Sequence, residues 1–247
     1  MIANPREIWV YLAASPLLHL TLTLVAYLIG DYLYHKSGEK AVVNPVLIAI
    51  VILVTVLLAT GASYATYFEG AQFVHFLLGP ATVALAAPLY RQFERVRHSA
   101  PALLVSLVVG SVTAILSATL ITWALGAPAN VIASIAPKSA TTPIAMGIAE
   151  QIGGLPSLTA VLVILTGILG AMFGTTVLTW VGVRDPAAQG FAIGLTSHGI
   201  GTARALQVSE LAGAFSALAM GLNGLATSLL APLLVHWLQT WLWGTSR

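Results

Sequence analysis

The sequence predicts an all-α polytopic membrane protein with about six full spans plus two broken or re-entrant helical segments in an inverted repeat. Three observations predict it. Of 247 residues, 58% are hydrophobic and only 7% charged, whereas a soluble domain carries about 25% charged residues. Six stretches approach or exceed the roughly 20 apolar residues that a span needs. Two further stretches of similar length, 127–154 and 187–213, carry a polar break at their centre.

The spans follow in order. The first, 8–33, is interrupted by Pro16; its apolar run is too long for a signal-peptide core and is expected to stay as a span. A loop with Lys36 and Lys40 leads to the second, 42–60, and a loop with Glu69 to the third, 71–90, broken near Gly79 and Pro80. The most basic loop, 91–98, holds Arg91, Arg95 and Arg97. The fourth span is 101–125, the next full span 158–181, and the last 215–243, whose Trp237, Trp241 and Trp243 suit an interfacial belt. The chain therefore reads as a single transmembrane domain over 1–247: N-terminal spans in 1–98, repeat units in 101–154 and 157–213, and a last span in 215–243. The two basic loops lie two spans apart, which puts both in the cytoplasm and the N-terminus outside.

The breaks carry the chemistry. In the first, Pro-Lys-Ser-Ala-Thr-Thr (137–142) is followed at once by Pro143, so a continuous helix is disfavoured. Its first arm is about 13 Å long, which places Lys138 near mid-membrane. In the second, Ser-His-Gly-Ile-Gly-Thr-Ala-Arg (197–204) reaches similar depth. If both segments are re-entrant hairpins, the first enters from outside and the second from the cytoplasm; if both cross fully, Arg184 lies outside. The segment 142–150, Thr-Pro-Ile-Ala-Met-Gly-Ile-Ala-Glu, matches 202–210, Thr-Ala-Arg-Ala-Leu-Gln-Val-Ser-Glu, at an offset of 60 residues, with Gly153 and Gly213 just beyond. Units of this kind with opposite topology are a common transporter architecture.

Cations at membrane depth are costly and face a cavity or a partner. Lys138 and Arg204 are thus candidate ligands for a small carboxylate, Arg204 as a bidentate fork and Lys138 as a point charge. Ser139, Thr141, Thr142 and Thr202 offer hydroxyls, His198 a donor or a proton relay, and Gly199 and Gly201 close backbone approach. The alternative is that Lys138 and Arg204 pair with Glu150 and Glu210 and only brace the broken helices. Glu150, Glu210 and Asn223 are candidates for coupling to H+ or Na+, against surface positions for the glutamates and interhelical hydrogen bonding for Asn223. Gly167, Gly170 and Gly174 suit close helix packing.

Several classes are excluded. The chain has no cysteine, hence no disulfide, thiolate metal site or thiol catalysis. No histidine cluster suggests a metal, no motif suggests an enzyme or another cofactor, and a net charge of +2 gives no case for nucleic acid.

The stretch 137–146, with Gly-Ile-Leu-Gly-Ala (167–171), 197–204 and Glu-Leu-Ala-Gly-Ala-Phe-Ser (210–216), resembles the LrgB/CidB family. Asn-Pro-Val-Leu-Ile (44–48) and 79–90 are similar to it as well. The resemblance implies a bacterial inner-membrane protein with a small LrgA/CidA-like membrane partner. It also implies a holin/antiholin-like role as a modulator of murein hydrolase activity and autolysis, or uptake of pyruvate. The plastidal glycolate/glycerate translocator contains a similar domain. The expected partners are a small carboxylate, the lipid bilayer, the LrgA/CidA-like protein and further copies of the chain. Transport of small monocarboxylates is the first functional expectation and the antiholin-like role the second.

Overall fold

A computed structural model describes residues 16–240 of the chain. Every regular element in that range is helical, and no strand occurs among the described residues. Four helices, Pro16–Lys36, Phe93–Ala124, Pro156–Trp180 and Glu210–Leu238, and one segmented run, Tyr64–Arg91, are long and apolar enough to cross a membrane. A sixth apolar helix, Pro45–Thr60, has 16 residues, about 24 Å of helix and thus shorter than a typical hydrocarbon core. The positions expected at 1–15 and at Trp241 and Trp243 lie outside the described residues.

The chain divides after Ala84 into two compact units. In the first, α1 (Pro16–Lys36) packs against α2 (Pro45–Thr60) and α3 (Tyr64–Phe76). The buried Asn44 starts α2, its Oδ1 accepting from Val46 N and Leu47 N. Ser63 caps α3 in the same way through Thr66 N, so the helix begins inside the loop expected at 61–70. The short α4 (Leu78–Ala84) follows.

The second unit opens with α5 (Ala86–Arg91) and α6 (Phe93–Ala124), joined at Gln92. Pro80 and Pro88 each fall in the first turn of a short helix, where a missing N–H is tolerated. The basic stretch 93–98 is the first two turns of α6 and not a loop. Then come α7 (Ala129–Ile135), α8 (Thr142–Gln151), α9 (Pro156–Trp180), α10 (Pro186–Val208) and α11 (Glu210–Leu238). Glu210 and Gly213 therefore belong to the last long helix, not to the preceding broken segment. The second break is also narrower than 197–204. It is confined to His198 (φ 41°, ψ −136°), and helix resumes at once.

Contacts along α11 show how α10 runs. Gly190 meets the Ala212 backbone and Gly194 that of Ser216, so the first arm runs parallel to α11. Past His198, Thr202 meets Ser216 and Leu206 meets Gly213, so the second arm runs back. Thus α10 is a helical hairpin with both feet at the α5–α6 end of the unit. Two ion pairs agree: Arg91 holds Glu210 at 3.1 Å and Arg95 holds Asp185 at 3.2 Å.

The segment α7–α8 is the corresponding hairpin from the other end. It leaves the far end of α6, and its tip lies opposite Asn223. Gly154, just past α8, returns to the Ala133–Ser134 backbone. Ser134 Oγ accepts from Leu155 N at 2.7 Å, and Thr159 Oγ1 donates to the Ser134 carbonyl at 3.0 Å, which ties this base to α9. The apolar core divides accordingly. Leu107, Phe191, Leu195, Phe215 and Ala219 enclose the second hairpin, while Ile115, Ala136, Ile148, Ala231 and Val235 enclose the first.

The seam of α10 on α11 depends on absent side chains. A Cβ at Gly194 would fall onto the Ser216 carbonyl, whereas one at Gly147 would meet nothing within 4 Å. Gly194→Ala should therefore lower stability in detergent by about 2 kcal/mol through overpacking. Gly147→Ala should raise it by up to about 1 kcal/mol through helix propensity. Equal melting temperatures for the two variants would refute the tight seam.

Candidate functional site

Two turns of chemistry meet where the hairpin tips meet. The first tip forms because Pro137 follows the end of α7 and Pro143 fits the first turn of α8. Between them, Lys138 N and Ala140 N close tight turns on the Ile135 and Pro137 carbonyls. The second tip turns at His198, whose positive φ is strained for a side-chain-bearing residue.

Asn223 joins the two tips. It is 1% exposed and sits at the middle of α11. Its Nδ2 donates to the Ser139 carbonyl at 3.0 Å and to the Leu195 carbonyl at 2.9 Å, one on each hairpin. Its Oδ1 accepts from Ser111 Oγ of α6 at 2.7 Å and from Thr227 Oγ1 at 3.2 Å. Both donors and both lone pairs of the amide are thereby used. This geometry makes Asn223 an interhelical clasp, the hydrogen-bonding alternative expected for it.

The middle of α9 forms the opposite wall. His198 Nε2 lies 2.8 Å from the Val163 carbonyl, which can only accept, so Nε2 carries a proton in either charge state. In the neutral ring Nδ1 is then the acceptor. Gly167 lies against the His198 ring and Gly170 against Ser197; a side chain at either would push the tip away. Ala140 and Ala145 of the first hairpin pack on Val163 as well. Thr202 Oγ1 donates to the His198 carbonyl at 2.8 Å and pairs with Ser216 Oγ at 2.9 Å, bracing the turn.

Lys138 stands beside this junction. Its Nζ donates to Ser139 Oγ at 3.2 Å, and no carboxylate among the described residues forms an ion pair with it. Both second arms, α8 and 199–208, begin at the tips and present positive helix ends there. The negative ends of the first arms are partly offset, because Asn223 takes up the Ser139 and Leu195 carbonyls.

The expected site residues fall into two groups. Lys138, Ser139, Thr141, Thr142, His198, Gly199 and Thr202 lie at the tips or within a turn of them. Gly201 packs on Ile193 and Ser197 and holds the two arms together. Arg204 is not in a break; it lies inside the second arm, about 9 Å of helix beyond His198, and its Nη1 donates to Gln207 Oε1 at 3.1 Å. Glu150 is exposed at the far end of α8, and Glu210 bonds Arg91 about 20 Å of helix from Asn223. Neither glutamate is at the junction. Ser111, Thr227, Ser216 and the Val163 carbonyl were not singled out by sequence. Only Thr227, one turn from Asn223, carried a signal.

Fold and site together define an all-helical membrane protein with two helical hairpins meeting at a polar junction. The profile of the LrgB-like family matches residues 23–237. The chain is 36% identical to the uncharacterized protein YwbG of Bacillus subtilis (strain 168), covering 89% of this chain and 97% of that protein. It is 37% identical to the uncharacterized protein YxaC of the same organism, over 92% and 97%. It is 30% identical to the antiholin-like protein LrgB of Bacillus cereus (strain B4264), over 89% and 95%. No solved structure matches. The chain belongs to the LrgB-like family, which is not a family of enzymes.

If the clasp holds the tips, Asn223→Asp should be about as damaging as Asn223→Ala despite its shape. Either change leaves two buried carbonyls without a donor, at a cost of about 2–4 kcal/mol. Thermal unfolding in detergent measures this; a wild-type melting temperature in Asn223→Asp would refute it.

Proposed function

We propose that this LrgB-like protein carries small monocarboxylates of the pyruvate or glycolate kind across the bacterial inner membrane as a secondary transporter. The single observation that carries this reading is Lys138: no carboxylate among the described residues forms an ion pair with it, and it stands at the junction of two hairpin tips beside two positive helix ends. In this reading the hairpins are re-entrant, form an inverted repeat and enter from opposite faces. The basic Arg91–Arg97 stretch lies in the cytoplasm and the N-terminus outside. Opposite entry and the matching segments 142–150 and 202–210 support it. A carboxylate would accept from Lys138 Nζ, from the Ser139 or Thr142 hydroxyl and from first-turn amides of α8. His198 Nδ1 would take up a proton as the anion binds, so the coupling ion is H+.

A second reading is favoured by a specific finding. The name of the Bacillus cereus relative, antiholin-like protein LrgB, points to an antiholin-like role. In this reading the chain modulates murein hydrolase export and autolysis together with a small LrgA/CidA-like membrane protein. The two readings meet if carboxylate flux governs autolysis.

Uptake of labelled pyruvate and glycolate into proteoliposomes separates them. Saturable uptake is expected, with a loss of about 10- to 100-fold in Lys138→Ala, the worth of one charge-assisted hydrogen bond. An inwardly directed proton gradient should drive uptake in the wild type. His198→Gln keeps an N–H for Val163 but binds no proton, so its uptake should not respond to the gradient. Absence of saturable uptake of either acid, alone and with the small partner, together with leakage of large trapped solutes, would favour the second reading. Equal uptake by wild type and Lys138→Ala would remove the assigned site.

A further inference from the structure

Both feet of the α10 hairpin are tied to one point. Arg91 ends α5 and Arg95 lies in the first turn of α6, with Gln92 as the joint between them. Arg91 Nη1 reaches Glu210 Oε1 at the start of α11, and Arg95 Nη2 reaches Asp185 Oδ2 at the start of α10. Asp185 uses its two oxygens separately: Oδ1 caps the helix by accepting from Ala188 N at 3.0 Å, and Oδ2 takes the arginine. On the other foot, α10 passes to α11 through Ser209 alone, in extended conformation (φ −166°), with its Oγ accepting from Ala212 N. One elbow thus grips the entry and the exit of the same hairpin.

We infer that these two ion pairs form a latch that keeps the junction closed from the α5–α6 end, and that releasing them lets the feet of α10 part. The seam with α11 seats the first arm directly on the Ala212 and Ser216 backbone at Gly190 and Gly194. The second arm meets α11 through Thr202 on Ser216, Ala205 in a cluster with Ala212, and Leu206 on Gly213, the last only four residues from the latch at Glu210. All four latch side chains are half or more exposed, at 50–70%. Exposed pairs are individually weak and screened by salt, which suits a contact that must open and close. The base of the first hairpin carries no ion pair among the described residues; its tie is the neutral Ser134–Leu155–Thr159 set. The two ends are therefore unlike, and the charged latch belongs to the second hairpin only. The inference deepens the transport reading but rests on it only for what the opening admits.

The absence of native cysteine permits a clean distance measurement on the full chain. Spin labels at Ala188→Cys and Val208→Cys report the two feet of α10. Labels at Ala129→Cys and Gln151→Cys report the first hairpin as a control. In Arg91→Gln/Arg95→Gln the α10 distances should broaden and lengthen by about 5 Å, the scale of a one-turn shift. The control pair should stay unchanged. High salt should shift the wild type the same way. Exchanging Arg91→Glu with Glu210→Arg should recover part of the narrow distribution lost in Arg91→Glu alone. An unchanged α10 distribution in the double variant overturns the latch, and so does an equal change in both hairpins, which would mean general loosening. Parted feet without carboxylate uptake in any variant would keep the latch and remove the transport reading. Normal uptake with unmoved feet would do the reverse.

Discussion

The amide of Asn223 is the point on which the second unit converges. Away from water a carbonyl freed by a broken helix needs a protein donor, and Asn223 is almost fully buried. Each tip exposes such carbonyls, and one Nδ2 supplies Ser139 and Leu195 together. The same side chain is held by Ser111 from α6 and Thr227 one turn on. Four elements are thereby set relative to one another by a single residue. The positive ends of α8 and of the arm 199–208 are left facing the junction, and Lys138 adds its charge to them.

Packing makes this junction reachable. The arms of both hairpins are short, so each spans only part of the unit and stops near the middles of α6, α9 and α11. Glycines on α10 remove the side chains that would hold it off α11, and glycines on α9 do the same for the tip at Ser197 and His198. Such small-residue seams suit a lipid setting, where apolar surface alone gives little reason for helices to associate. The ends of the two hairpins are then fastened by different chemistry: hydroxyl to backbone at one end, guanidinium to carboxylate at the other. A conformational cycle built on these parts would treat the two ends differently.

Family membership and geometry bear on separate questions. The match over residues 23–237 establishes the family, and five helical stretches are long and apolar enough to cross a membrane. The relatives' names say antiholin-like or say nothing of activity. The anion reading rests on Lys138, with which no carboxylate among the described residues forms an ion pair, because a cation buried in a membrane is expensive without a negative partner.

Much of this was legible in order along the chain. Apolar length marked the spans, Pro137 and Pro143 marked the first break, and glycine spacing marked a packing face. Boundaries were less legible. Ser63 and Asp185 start helices inside stretches that read as loops, because a cap outweighs local polarity. Arg204 read as the end of the second break and Glu210 as part of the broken segment beyond it, yet helix resumes one residue after His198, and Ser209 rather than Gly213 ends the segment. The composition by itself determined that this chain lives in a membrane as helices with two polar interruptions, because so few charges leave no other way to hide its backbone. Only the tertiary structure decided that α10 turns back instead of crossing, that its feet share one elbow, and that both tips hang on Asn223. Those are relations between residues 7 to 119 positions apart, and no local pattern encodes which partner a buried group will find.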